Sequence, residues 1–89
     1  EGFVSVYAVV ETKTGTILAG PDIQARGMAE DDSVFEDVLP DVTTALQAAL
    51  DKGNADARSL QQAMRRALGR WIGRRLRRRP MIVPVVIEA

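Results

Sequence analysis

The pattern of apolar and polar positions places strands near both ends of the chain and helices between them. Residues 3–10 are rich in β-branched and aromatic side chains and predict a strand. Gly15 can supply the positive-φ position of a tight turn, and residues 17–19 then form a short return strand that ends before Pro21. We expect residues 22–32 to be an irregular connection.

Helical spacing of apolar residues predicts two helices in the middle of the chain. Ser33 and Glu36 fit a capping box at the start of the first helix, and Pro40 should kink that helix or split off its first turns. The helix should end near Gly53, and Asp56 can cap the second helix. The second helix carries the clearest periodic stripe in the chain: Leu60, Ala63, Met64, Ala67, Leu68, Trp71, Ile72 and Leu76.

Pro80 ends the second helix, and the aliphatic residues 81–87 predict a third strand. The order ββααβ indicates an α+β fold, a small two-layer sandwich in which two helices cover one face of a three-stranded sheet. Pro84 suggests that the third strand lies at a sheet edge. The predicted core brings Trp71, Leu68, Met64, Leu46 and Val42 against Val6, Val83 and Val85.

Both faces of the first and third strands are apolar, although two helices can cover only one face of the sheet. An uncovered apolar face marks a contact surface more often than an idle one, so we expect this chain to associate with itself through its sheet. An alternative is that the connection 21–32 folds over this face. The candidate self-association residues are Phe3, Tyr7, Val9, Ile82 and Val86.

Composition bounds the chemistry of the 89-residue chain, which we expect to form a single domain over residues 1–89. Apolar residues make up 46% and charged residues 27%, which fits a folded, cytoplasmic protein without a signal peptide or membrane span. The sequence has no cysteine and no histidine, so thiolate catalysis and histidine-based catalysis are excluded. We assign no catalytic residue, metal ligand or cofactor, and Glu30-Asp31-Asp32 are expected to be helix-start acids.

A strong charge asymmetry underlies the net charge of zero. Residues 1–56 carry eleven acids and three bases, whereas residues 57–89 carry nine arginines and one glutamate. Clustered guanidinium groups can bind phosphates, so the basic end of the second helix is a candidate RNA contact. The alternative is a solvated face that offsets the helix dipole and pairs with the acidic first helix. The candidate RNA-contact residues are Arg70, Arg74, Arg75, Arg77 and Arg78.

Two segments carry a resemblance to a known family. Residues 77–88, which read RRRPMIVPVVIE, resemble the R-R-P-M-I-[LV]-P-V-[IV]-[IM]-E segment that closes bacterial ribonuclease J. Gly20-Pro21-Asp22-Ile23 followed by Ala25-Arg26-Gly27 resembles the G-P-[DE]-[IV]-x-S-R-G element of the same enzymes. Ala25 stands where the family has serine, and Met28-Ala29 replaces its usual F-V-Y.

The resemblance implies a separately folded C-terminal domain of a metallo-β-lactamase and β-CASP nuclease, a 5′-to-3′ exonuclease and endonuclease. It implies zinc in the parent enzyme, and as partners the parent's catalytic core, a second copy of this domain and substrate RNA. The zinc-binding motifs of the family are absent from this chain, so no catalytic or metal residue is transferred. An alternative is a KH-like RNA-binding module, whose Gly-x-x-Gly loop would fall at Gly53-Asn54-Ala55-Asp56 but lacks the second glycine.

Overall fold

The computed structural model describes residues 2–28, 31–53 and 55–89. Strands β1 (Phe3–Glu11) and β2 (Thr16–Arg26) are followed by a 3₁₀ helix, Asp32–Val38. Helices α1 (Leu39–Asp51) and α2 (Ala57–Arg75) come next, and strand β3 (Met81–Glu88) closes the order. The predicted α+β architecture is confirmed.

β2 is longer than the sequence indicated. The strand continues through Pro21 to Arg26, so the prediction that it ends before Pro21 is wrong, as is the irregular connection over residues 22–26. β2 lies at the edge of the sheet, where a proline is tolerated because one side of the strand needs no ladder hydrogen bond. The register shifts near Val9 accommodate the extra residues.

Gly20 is the position where this irregular strand needs glycine. Its φ is +77°, and a Cβ built there would lie 2.7 Å from the carbonyl oxygen of Tyr7. Backbone of β1 therefore occupies the space that any side chain would take.

The first helical segment is split in two. Asp31, and not Ser33, caps the 3₁₀ helix, because its carboxylate accepts a hydrogen bond of 3.0 Å from the Ser33 amide. The expected Ser33–Glu36 capping box is therefore wrong. Pro40 lies in the first turn of α1, where its missing N–H costs nothing, so the expected splitting at this proline is confirmed.

Asp56 caps α2 as expected. Its carboxylate accepts a hydrogen bond of 2.8 Å from the Ser59 amide, and the Ser59 hydroxyl accepts one from the Asp56 amide. The pKa of Asp56 is below its ordinary value. The hydrogen bond from the Ser59 amide is the main cause, and the hydrogen bond with the Ser59 side chain lowers the pKa further. Gly53, with a φ of +68°, follows α1 in the left-handed conformation that was expected.

The sheet has the order β2-β1-β3, so β1 is its central strand. β1 runs antiparallel to β2 and parallel to β3, and Val6 of β1 lies beside Pro84 of β3. β3 is an edge strand, as Pro84 suggested. Both helices pack on one face of this mixed sheet, which we call the inner face.

The core lies between the inner face and the helices. Alternate residues of β1 are buried, beginning with Val4 and Val6, and they meet the predicted stripe of α2. Trp71 is only 8% exposed, and its ring centroid lies 5.7 Å from that of Phe35. The expectation that Val83 and Val85 join this core is wrong, because they remain 36% and 39% exposed on the opposite side of the sheet.

Candidate functional site

The outer face, which is the side of the sheet away from the helices, is apolar over its β1 and β3 half. The parallel register places Phe3 beside Met81, Tyr7 beside Val85, and Val9 beside Ile87. Met81 and Ile87 are 69% and 53% exposed, and Phe3 is also exposed. Tyr7 and Val9 are half-buried. Because these apolar side chains remain exposed, the outer face is a candidate contact surface.

Two of the predicted self-association residues lie on the other side of the sheet. Ile82 pairs with Val4 and Val86 pairs with Ala8, and both pack half-buried against the core. The assignment of Ile82 and Val86 to the outer face was therefore wrong. Both alternating sets of β3 side chains are apolar, so the sequence could not reveal which set faces the helices in the parallel register. Phe3, Tyr7 and Val9 do lie on the outer face.

The second half of β2, residues 22–26, makes the outer face polar at this edge, whereas Leu18 nearer its start is apolar and 51% exposed. Arg26 lies beside Phe3, Gln24 beside Ser5, and Asp22 beside Tyr7. All three β2 side chains are exposed. The outer face thus combines an apolar half with a polar edge that carries a cation near one end and an anion further along.

The predicted arginine cluster does not form one surface. Arg75 makes contacts within the chain. Its Nη2 lies 3.4 Å from Oδ2 of Asp37, and its guanidinium lies 5.8 Å from the centre of the Trp71 ring. This contact matches the expected pairing with the acidic first helical segment. Arg77 has a φ of 55°, and its amide donates to the Ile72 carbonyl, so its backbone turns the chain out of α2.

Arg70 and Arg74 line a shallow surface between α1 and α2 that also includes Asp41. Arg70 belongs in addition to a second, more basic surface. Both arginines therefore share this surface with an acid, and Arg70 lines both surfaces.

A basic groove of about 450 Å³, which we call the arginine groove, separates the second half of α2 from the segment that leads into β3. Its cationic lining residues are Arg65, Arg66, Arg70, Arg78 and Arg79. Gly69, Ile72, Gly73, Pro80 and Ile82 complete the lining. Among the described residues that line this arginine groove there is no acid and no aromatic side chain.

The arginine groove contains two of the predicted RNA-contact residues, Arg70 and Arg78. Its other three arginines were not in the predicted set. Arg65 and Arg66 precede Arg70, the first residue of the candidate set, by about one helical turn, and Arg79 directly follows Arg78, its last residue. The spacing of Arg66, Arg70 and Gly73 at three and four positions was the available signal, since such residues share one side of a helix.

The described residues provide no visible centre for metal chemistry. They contain no group of three or more histidine, cysteine, aspartate or glutamate side chains that could hold a metal ion. Of the predicted helix-start acids, Asp31 caps the 3₁₀ helix and Asp32 lies in its first turn, whereas Glu30 lies outside the described residues. No helix in the described ranges is long and apolar enough to cross a membrane.

The turn between α1 and α2 differs from a nucleotide-clamping loop. Asn54 lies outside the described residues, and Asp56 stands where the second glycine of a Gly-x-x-Gly loop would be. The Asp56 carboxylate is exposed and engaged in capping α2. A negative charge at this position opposes approach of a phosphate backbone, which disfavours the KH-like alternative.

These features define a small α+β domain with an uncovered apolar sheet face and a separate basic groove. The family model of the ribonuclease J C-terminal domain matches residues 1–89, and the chain belongs to this family. Ribonuclease J from two strains of Mycobacterium tuberculosis, CDC 1551 / Oshkosh and H37Rv, is 40% identical to it over 87 residues. That match covers 98% of this chain but 16% of the length of either relative.

Proposed function

We propose that this chain is a non-catalytic domain that assembles the subunits of a ribonuclease J-type enzyme in the cytoplasm. The parent would be a zinc-dependent ribonuclease of the metallo-β-lactamase and β-CASP type, acting on RNA as a 5′-to-3′ exonuclease and endonuclease. Family membership over the full chain supports this parentage. The apolar outer face of the sheet is the observation that supports assembly.

The residues present do not fit a zinc site. The chain has no histidine or cysteine, and no suitable cluster of potential ligands occurs in the described ranges. Zinc in proteins is held by such nitrogen and sulfur ligands together with carboxylates. In this proposal the zinc and the reacting groups belong to the catalytic core of the parent, and this domain supplies no chemical step.

A second copy of the same face is the occupant that the outer face fits best. If two sheets stack about a two-fold axis that runs across their strands, each β2 lies over the partner's β2 in the opposite direction. The apolar halves then meet, and Arg26 approaches Asp22 of the partner subunit twice in the dimer. One self-complementary surface is sufficient to close a two-fold assembly.

The expected interface is small. An apolar patch of about 400 Å² on each copy gives a total buried area of about 800 Å², below the about 1,200 Å² of stable specific interfaces. We therefore expect weak dimerisation of the 89-residue chain, strengthened in the parent by any further contact between subunits.

A charge exchange on β2 tests this assembly. Arg26→Asp should weaken dimerisation at least tenfold, because it places two acids opposite each other at two points along the β2 edge of the interface. The double variant Asp22→Arg/Arg26→Asp should restore dimerisation, since it re-creates the opposite-charge pair in reverse. Analytical ultracentrifugation of the chain and of the longer parent measures both effects, with circular dichroism as the check on folding.

Two results would contradict the proposal. The first is a strict monomer at millimolar concentration together with a parent assembly that is indifferent to Arg26→Asp. The second is a double variant that remains as dispersed as the single one, which would show that these charges do not face each other across a two-fold axis.

A further inference from the structure

We propose that the arginine groove is a binding site for the phosphate backbone of single-stranded RNA. This inference rests on the proposed function in one respect: RNA, and not another polyanion, is chosen because the family is that of a ribonuclease. The groove is separate from the outer face, and no part of the assembly proposal requires it.

Helix electrostatics do not account for the groove. Basic residues near the C-terminus of a helix offset its dipole, but this effect fades beyond the last turn. α2 ends at Arg75, so Arg74 and Arg75 lie within reach of that effect. Arg65 and Arg66 lie almost three turns earlier and gain nothing from it. Compensation of the α2 dipole therefore does not explain the positive charges of Arg65 and Arg66.

The groove brings these charges together from two different parts of the chain. Arg66 and Arg70 lie one turn apart on α2, while Arg78 and Arg79 come from the segment before β3. Guanidinium groups bind phosphate oxygens in pairs of parallel hydrogen bonds, and an uninterrupted set of them attracts a polyanion. The other described residues that line the groove are glycine, proline and isoleucine.

The floor of the groove leaves room for a ligand. A Cβ built at Gly69 would lie 3.4 Å from Cδ1 of Ile82, so Gly69 is close to its neighbour. A Cβ at Gly73 would meet no atom within 4 Å, which means that packing within the chain does not require glycine there. Glycine inside a helix is less favourable than alanine, so helix stability does not explain glycine at this position either. The groove is therefore open at Gly73, beside the arginines that line it.

The lining also indicates how RNA would be bound. Bases are held on single-strand-binding proteins by stacking on aromatic side chains. Trp71 is buried in the core, and no aromatic residue lines the groove among those described. Contacts to phosphates alone position a nucleic acid without reading its sequence. The site should therefore bind RNA weakly, without sequence preference, and with strong dependence on salt.

The test compares two pairs of arginines on the same helix. Arg66→Gln/Arg70→Gln removes two charges from the groove, whereas the control Arg58→Gln/Arg74→Gln removes two exposed charges of α2 outside it. A labelled single-stranded RNA of mixed sequence is titrated with each variant over a range of salt concentrations. The groove variant should lose roughly tenfold in affinity at low salt. Its salt dependence should flatten by about 1.4 in the slope of log K against log salt, two phosphate contacts at about 0.7 each.

A third variant tests entry into the groove without changing charge. Gly73→Leu fills the floor, and it should weaken RNA binding several-fold while the thermal stability of the chain is kept or raised. An unchanged affinity in Gly73→Leu, or an equal loss in both arginine pairs, would show that RNA does not occupy the groove. Absence of RNA binding at low salt, or equal binding of poly-glutamate, would also overturn the inference.

The same variants separate this inference from the assembly proposal. Arg66→Gln/Arg70→Gln should leave sedimentation unchanged, and Arg26→Asp should leave RNA affinity unchanged. If the parent cleaves RNA but the groove variants bind it normally, the inference fails and the proposed function stands. If the groove binds RNA but the parent has no ribonuclease activity, the proposed parentage fails and the binding site stands.

Discussion

The inner and outer faces of the sheet are built from similar residues but have opposite environments. In β1 the inner set Val4, Val6, Ala8 and Val10 is at most 1% exposed. The alternating outer set includes Phe3 and Val9, which are as apolar, yet Phe3 is 42% exposed and Val9 is half-buried. Apolar composition alone therefore does not mark a core. The helices decide which face becomes the core, and the remaining face is available to a partner.

The largest expected difference between the faces comes from placing an acid on each. Val6→Asp puts an unpaired carboxylate into the core and should unfold the chain, because burial of such a charge exceeds the free energy of unfolding of a small domain. Val85→Asp lies on the outer face and should leave the fold intact while dispersing any dimer. Circular dichroism and sedimentation of both variants measure the contrast. Unfolding of Val85→Asp would mean that the outer face is structural within one chain.

A smaller contrast is expected from truncating one aromatic residue in each environment. Trp71→Ala removes a buried ring that contacts Phe35 and should lower the free energy of unfolding by about 3–5 kcal/mol. Phe3→Ala, on the outer face, should change it by less than about 1 kcal/mol in a dilute monomer. Urea denaturation provides both values. Similar losses for the two variants would contradict the separation into a covered and an uncovered face.

The smallest contrast uses two adjacent valines of β3. Val86→Ala removes half-buried methyl groups from the inner face and should cost about 1–2 kcal/mol of unfolding free energy. Val85→Ala should cost less than about 0.5 kcal/mol in the monomer. Denaturation at a concentration well below that of dimerisation isolates this effect. A reversed order would show that the register of β3 against β1 is shifted by one residue.

Much of the fold follows from local signals in the sequence. The stripe from Leu60 to Leu76, the cap at Asp56 and the break at Pro40 each act within a few residues, so the helices were predictable. The edge position of β3 followed from Pro84, because proline cannot donate to the ladder. In these cases the chemistry of a residue and its structural effect lie close together in the chain.

The features that escaped prediction depend on contacts between distant segments. The inward set of β3 is fixed by a parallel register with β1, and both sets of β3 residues are equally apolar. β2 continues past Pro21 because it is an edge strand, which depends on the strand order. The arginine groove likewise joins Arg66 of α2 to Arg79 near β3, and no local pattern shows that these residues meet.

The central position of β1 has a consequence for the order of folding. β1 and β2 are joined by a short turn and can pair within microseconds as a hairpin, whereas β3 lies almost the whole described chain away from β1. Closing so long a loop lowers the entropy of the chain before the contacts between β1 and β3 can offset that loss. β3 should therefore join the sheet last. Until then the open edge of β1 offers unpaired backbone groups to any other strand. Aggregation during synthesis should therefore be governed by how soon the segment Met81–Glu88 becomes available, and not by the stability of the finished domain.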